Sequence, residues 1–521
     1  MRAIVFSKLR VPSCTGLRRF LRYYRLIHSS KFGLYCLNAA LFVSLLIVWG
    51  HVSSDASQST YQTDVDYAIE TFNYLHDQKV GKGKSQNLDD GPESIFDHWC
   101  PFLYKAANQT TQWQVESHER NELYLYRAYL DDRKGHLFPT AAAIVQVLGM
   151  ARRKLNAHIY CHLWQEGSTK AIVRSAHVRE IWQRFWDPRN RFYVPVLASC
   201  PLSSSDRQIS HVSLSFERCG ATKNLLPVSG YSERQQWRQI NETRVVVCVK
   251  GMDFLTDLSL RLVEWLELNA MLGADRIVIY TYTVHPKIQK VLDYYAKQRK
   301  LVLQIALTLP GNMPNLPYQR SEFIWRNRQQ KRRNEIIPYN DCLYRHLHTH
   351  RYALIVDTDE VVVPLKHKRW PEMLNYLEEA ASQTSKWSAF SITNVFKFDN
   401  LTKTTDPTVP HYMHMLQHKM RSSKISEPGA YGKSFMFVRN LITVFNHYPL
   451  HRLRPNLLNT QFVDKNIAVK LHYKAKCPIE SRDECPDLNR RTVEDHSLDR
   501  LAKRLTRRVE MVVETLELIK K

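Results

Sequence analysis

The chain has 521 residues, of which 44% are hydrophobic and 24% charged, enough to bury a sizeable core, and this excludes a disordered or collagen-like protein. Its 74 Lys and Arg against 50 Asp and Glu give a formal net charge of +24, which calls for an anionic partner: nucleic acid, a membrane surface or a phosphorylated substrate. The position of the charge decides among these.

Residues 1–31 form a basic arm with Arg2, Lys8, Arg10, Arg18, Arg19, Arg22, Arg25 and Lys31, and the first carboxylate of the chain is Asp55. Phe32 to Gly50 (FGLYCLNAALFVSLLIVWG) carries no charge and, as a helix, spans about 28 Å, close to a hydrocarbon core. A cleaved signal peptide has a shorter apolar stretch, about 7–15 residues, so the reading is an uncleaved anchor. Positive flanks stay in the cytosol. The sequence therefore predicts a single-pass type II protein with residues 51–521 facing a lumen or the exterior. Three glycosylation sequons at Asn108, Asn241 and Asn400 fall on that side, where they must lie to be used. So do eight of the ten cysteines (Cys100, Cys161, Cys200, Cys219, Cys248, Cys342, Cys477, Cys485), an even number in a compartment that permits disulfides, although spacing does not fix their pairing. A lumen holds no nucleic acid, which removes that partner.

Residues 51–94 are polar, with the tracts Ser53 to Thr60 (SSDASQST) and Gly81 to Gln86 (GKGKSQ), as in a stem. Residues 95–240 contain short aromatic runs such as Glu122 to Leu130 (ELYLYRAYL), whose alternation predicts a β-rich accessory module. From 241 to 480 the pattern changes to strand Val245–Val249, helix with Leu262, Trp265, Leu266 and Leu268, strand Arg276–Tyr280, helix Pro286–Lys297, strand Leu301–Ile305, a long helix ending near His350, and strand Tyr352–Val356. Such alternation means an α/β domain with a parallel, Rossmann-like sheet. Residues 481–521 end in an amphipathic helix with an apolar stripe of Leu498, Leu501, Leu505, Val509, Val512 and Leu516, expected to pack on the body.

Ligands of parallel sheets bind beyond the carboxyl ends of the strands, and Val356 is followed by Asp357-Thr358-Asp359-Glu360. Carboxylates at i and i+2 in a tight turn can hold one hard cation, Mn²⁺ or Mg²⁺, that also takes phosphate oxygens. Such a cation neutralises the diphosphate leaving a nucleotide sugar.

The ordered blocks Val247-Cys248-Val249-Lys250, Leu262 to Leu268, Leu272-Gly273-Ala274-Asp275-Arg276-Ile277-Val278-Ile279-Tyr280, Asn340-Asp341-Cys342-Leu343, the acidic turn, Gly432-Lys433-Ser434, His447 and Leu471-His472-Tyr473-Lys474 together resemble glycosyltransferase family 92. The resemblance covers about residues 244–474 and departs at Val361, where an aromatic residue is usual, and at Lys474, where Arg is usual and supplies a planar fork that Lys lacks. It implies a GT-A type fold and transfer of galactose from UDP-galactose to a glycan acceptor in the Golgi lumen, with Mn²⁺.

Asp357 and Asp359 are the expected metal ligands, with Asp357 alternatively on the donor's ribose. His472 is a candidate third ligand, since a neutral imidazole suits Mn²⁺. Glu360 is assigned either to the metal and donor or to a cap on the next helix, and Lys433 to the diphosphate as a point charge. An inverting transfer also needs a carboxylate base, for which Asp399 and Glu427 are candidates by position. Glu264 and Glu267 read as solvating residues of their helix before a catalytic pair, Lys331-Arg332-Arg333 as a solvated basic face, and His346/His350 as a metal pair without a third ligand. Two rival readings stand beside the galactosyltransferase: a luminal glycan-binding or scaffold protein on a degenerate transferase fold, and a transferase of another UDP-sugar. Oligomeric state is not legible.

Overall fold

The computed structural model describes Cys100, residues 105–106 and residues 111–519, except 136–137, 156, 207, 232–243, 382–386, 402–405 and 478–481. The basic arm, the expected anchor at 32–50, the stem, and the Asn108 and Asn241 sequons lie outside these residues. No helix among the described residues is long and apolar enough to cross a membrane.

The described residues form a mixed α/β structure. Between Gln114 and Ser229 nine strands make one sheet. The strand Val194–Leu202 is buried along its length. Cys161 and Cys200 are disulfide-bonded although four strands separate theirs within the sheet, so the sheet curls around a core that includes Leu125, Val147, Leu163 and Leu214. Cys100 pairs with Cys219.

The second sheet is built from β1 (Val245–Phe254), β2 (Ala274–Val284), β3 (Val302–Ala306), β4 (Tyr352–Ile355), β6 (Trp387–Ile392), β8 (Lys433–Phe437) and β9 (Leu458–Phe462), in the order β3-β2-β1-β4-β8-β6-β9. The first four are parallel, and β8 runs antiparallel to β4 and β6. A three-stranded sheet of β5 (Glu360–Pro364), β10 (Ala468–Lys474) and β7 (Asn394–Phe398), in that order, starts where the acidic turn ends.

Helices α1 (Ser259–Leu272) and α2 (Pro286–Lys297) connect the parallel strands. Gly273 ends α1 with φ +121°, and a Cβ there would lie 2.7 Å from Pro371 Cδ, so both backbone and space demand glycine. The single long helix expected before β4 is two helices, α3 (Pro317–Arg326) and α4 (Arg328–Arg345). The break falls at Asn327, whose side chain bonds back to the Phe323 carbonyl at 3.0 Å and competes with helical continuation. The C-terminal helix α7 (Asp499–Thr515) buries Leu505, Val509, Val512 and Val513 in the core that α1 also enters.

The two large sheets share a core in which Tyr126, Leu148 and Trp182 meet Val246, Tyr280 and Ile337. At its centre Asp341 of α4 accepts hydrogen bonds from Tyr129 of the first sheet and, at 2.5 Å, from Tyr280 of β2. Arg345 and Arg127 complete its shell at 3.2 and 3.6 Å. The Cys248–Cys342 disulfide fastens β1 to α4. Arg333, expected on a solvated face, is fully buried between Trp182 and Phe192, donating to the Asp187 and Arg189 carbonyls.

Glu264 and Glu267 are buried too, and neither solvates α1. Glu264 accepts the backbone N–H of Met415 and Leu416; Glu267 pairs with Tyr295 and Arg508. His350 bonds to Asp275 at 2.9 Å and His346 to the Cys342 carbonyl at 3.0 Å.

Candidate functional site

Strand β4 is a buried apolar run that delivers the chain to the carboxyl edge of the parallel sheet. The turn after it is closed by two reciprocal bonds: Glu360 N–H to the Asp357 carbonyl and Asp357 N–H to Glu360 Oε2, both 3.0 Å. Chain then re-enters the core as β5, whose Val361, Val362 and Val363 are wholly buried. Position 361 therefore serves packing here, which accounts for an aliphatic residue.

Strand β10 pairs antiparallel with β5, Glu360 opposite His472. Alternation puts Lys470, His472 and Lys474 on one face of β10 and Leu471 and Tyr473 on the other. The first face meets the acidic turn. Lys474 Nζ lies 2.7 Å from Asp359 Oδ2, Lys470 Nζ 2.6 Å from Glu360 Oε1, and His472 Nε2 3.8 Å from Asp359 and 3.6 Å from Glu360. From the other side Lys250, past the core of β1, reaches Asp357 at 3.0 Å and Glu335 at 3.6 Å.

Asp357, Asp359 and His472 are thus brought together. Burial opposes ionisation of Asp357, but Lys250 and Lys433 outweigh it and hold this carboxyl below the usual range. Asp359 is pushed the other way by burial and by Asp357, with Lys474 only partly offsetting them. Burial, aided by Lys470, keeps His472 neutral. Its Nε2 is buried without a hydrogen-bond partner, while Nδ1 lies 3.3 Å from Lys470 Nζ and the ring stacks on Phe396. Lys470 can only donate, so it occupies the Nδ1 lone pair and the one proton of the neutral ring sits on Nε2, facing Asp359 and Glu360. A divalent cation held by Asp357, Asp359 and His472 would take that proton's place, with Lys470 keeping its bond to Glu360.

Glu360 and Lys433 take a different place from the one expected. Glu360 is 2% exposed and Lys433 fully buried, 3.3 Å apart, and Lys433 also donates to Asn446 at 2.6 Å. Mutual pairing under the turn keeps both from a surface diphosphate, and Glu360 caps no helix because the strand β5 follows it. Glu427 lies exposed on the turn leading into β8, where Ala430 N–H bonds to its carbonyl. Asp399 follows β7 and pairs with His418 Nε2 at 2.9 Å. His418 packs on Tyr473, which places the pair on the opposite face of the small sheet from His472.

Lys250, Lys470 and Asn446 received no role from the sequence. The alternation Lys470, His472, Lys474 along a strand was the signal for the second of them; Lys250 and Asn446 join the turn only through tertiary packing.

Residues 243–509 match the model of Glycosyltransferase family 92, just over half of the chain. The chain belongs to glycosyltransferase family 92. The acidic turn, β10 and the buried Glu360 cluster all lie inside the matched segment, as does α7 up to Val509. This family-92 chain is also similar to a Caenorhabditis elegans protein named beta-1,4-galactosyltransferase galt-1, 32% identical over 111 residues. That alignment covers 21% of the chain and 23% of the relative, so the chain spans about a quarter of the length of the curated protein it matches.

Proposed function

We propose that this family-92 protein is a metal-dependent glycosyltransferase that moves galactose from UDP-galactose to a glycan acceptor in the Golgi lumen, with inversion. The observation that carries the reading is the meeting of Asp357, Asp359 and the unpartnered Nε2 of His472 at the carboxyl edge of a parallel sheet, where nucleotides bind in such sheets. Family membership and the name of the worm relative favour a glycosyltransferase and a galactosyl donor. Four disulfides, Cys477–Cys485 being the fourth, suit a lumen. In this reading the strand order is that of a GT-A type domain, preceded by an anchor at 32–50.

When bound, Mn²⁺ or Mg²⁺ supplies charge neutralisation to the departing diphosphate. The chain's own groups prepare the place. Glu360, clasped by Lys433 and Lys470, fixes the start of β5 against β10, so that Asp359 and His472 stay level. Lys474, one-third exposed, adds a positive charge at the open rim, as a point charge and not a planar fork. Asp399 is engaged by His418, which leaves Glu427 as the candidate base.

The test is a panel of UDP-sugars titrated into the full-length protein with and without Mn²⁺, beside Asp359→Ala. Metal-dependent binding of UDP-galactose that the variant loses is expected. A folded protein that binds no nucleotide sugar would sink the enzyme and leave the glycan-binding or scaffold reading; preference for another UDP-sugar would correct the donor.

A further inference from the structure

A single helical turn, α6 (His414–Gln417), is too short to be stable alone, and the protein holds it with unusual care. The buried Glu264 carboxylate of α1 accepts the N–H groups of Met415 and Leu416 at 2.8 and 3.0 Å. Gln417 donates to the Val409 carbonyl at 2.7 Å and accepts from Asp406 N–H at 2.9 Å, while Met413, Met415 and Leu416 are buried. What this turn presents is a pair of imidazoles, His414 and His418, at i and i+4 on one face, with ring centroids 4.2 Å apart. Asp399 arrives beside them from the end of β7, and one donor atom from each of the three lies within 4.8 Å of the others.

His418 shows what the cluster lacks. Its Nδ1 is 2.6 Å from the His414 carbonyl and its Nε2 is 2.9 Å from Asp399 Oδ1, so both nitrogens face acceptors. A neutral imidazole has one N–H. The second contact requires a positive charge between ring and carboxylate, either a proton or a metal ion. The backbone carbonyl at Nδ1 fixes the tautomer that turns the Nε2 lone pair toward Asp399, the outer-shell arrangement found around metal-bound histidines.

We propose that Asp399, His414 and His418 form a divalent-cation site of the zinc class, separate from the acidic turn. Two imidazole nitrogens and one carboxylate oxygen suit Zn²⁺ and not the all-oxygen preference of Mg²⁺ or Ca²⁺. The Asp399 side chain is 39% exposed, which leaves room for water as a fourth ligand. The site is back to back with the first: Tyr473, adjacent in the chain to His472, has its ring 5.8 Å from both His414 and His418. A bound ion ties the end of β7 to α6. The proposal does not depend on the transferase reading.

The experiment uses full-length protein stripped with a chelator and titrated with Zn²⁺ alone, and in parallel with Co²⁺ as a spectroscopic probe. Asp357→Asn/Asp359→Asn, which disables the acidic turn, should retain one equivalent of zinc; His414→Gln/His418→Gln should lose it. Glu264→Gln, which loosens the clamp on α6 without touching the ion, should weaken zinc binding by about 10- to 100-fold. Should the histidine variant fail to fold, X-ray absorption on the cobalt form of the acidic-turn variant reads the ligands directly, with two imidazoles expected. One imidazole or none, zinc binding unchanged by the histidine substitutions, or no zinc bound by the folded wild type would overturn the site and leave His418–Asp399 a proton-bridged ion pair.

Discussion

Asp341 and the carboxylates of the turn 357–360 are satisfied in different ways. Asp341, between the two large sheets, has hydroxyls of Tyr129 and Tyr280 on its two oxygens and the guanidiniums of Arg345 and Arg127 beside them. Both carboxylate oxygens are engaged there, and among the four groups Arg127 Nε is buried without a hydrogen bond. In the turn 357–360, Glu360 is saturated by two lysines, but Asp359 is held above the ordinary carboxylate range by burial and by Asp357, and His472 Nε2 has no partner. The first arrangement holds two sheets together; in the second, carboxylates crowd one another at a partly exposed turn although Lys250 and Lys474 pair with two of them, which is the arrangement the proposed cation would relieve.

The comparison breaks most readily at Asp341. Asp341→Ala leaves two tyrosine hydroxyls and the Arg345 guanidinium without their acceptor and Arg127 without its counter-charge, and is expected to cost about 3–5 kcal/mol of stability in denaturant or thermal unfolding. Glu360→Gln should fall in the same range, because it strands Lys433 and Lys470 in the interior; a loss below about 1 kcal/mol in either would remove the distinction drawn here. Asp359→Ala should behave oppositely. Its expected effect is a drop of about 10²–10³ in transfer rate, comparable to removal of one preorganised charge-stabilising group, with unfolding stability unchanged or slightly raised. The smallest effect concerns the first sheet. Burial pushes the Glu116 carboxyl up to about 7 from 4.5, against the bond it accepts from Asn224. Between those values the folded state keeps a proton that the unfolded chain has released, so this group's contribution to stability declines as pH rises from about 4.5 to 7. Glu116→Gln should flatten that slope, by an amount on the order of 1 kcal/mol after allowing for its partial exposure.

The acidic turn could be read from the chain because its signal is local: an apolar strand followed at once by two carboxylates needs no distant residue to be recognised. The parallel strands were legible for the same reason, through apolar runs separated by helical periodicity. Asp341 was not, since its meaning comes from tyrosines 212 and 61 residues away. Glu264, Glu267 and Arg333 were misplaced on a solvated face because charged side chains on helices are mostly exposed, and only the arrival of α6, α7 and Phe192 buries them. Lys433 was assigned to the diphosphate and Glu360 either to the metal and donor or to a helix cap, whereas the two lie 3.3 Å apart under the turn.

The disulfides carry a consequence for how the chain is made. Cys100 finds Cys219 across 119 residues, and the Cys161–Cys200 pair closes within that interval. A chain emerging from its N-terminal end presents Cys161 and Cys200 to Cys100 before Cys219 exists, so pairing in order of appearance gives the wrong bond. Eight cysteines allow about 105 complete pairings, and thiol exchange is the route from such a wrong bond to this set. A host compartment that oxidises without reshuffling should therefore yield protein whose first sheet is mispaired.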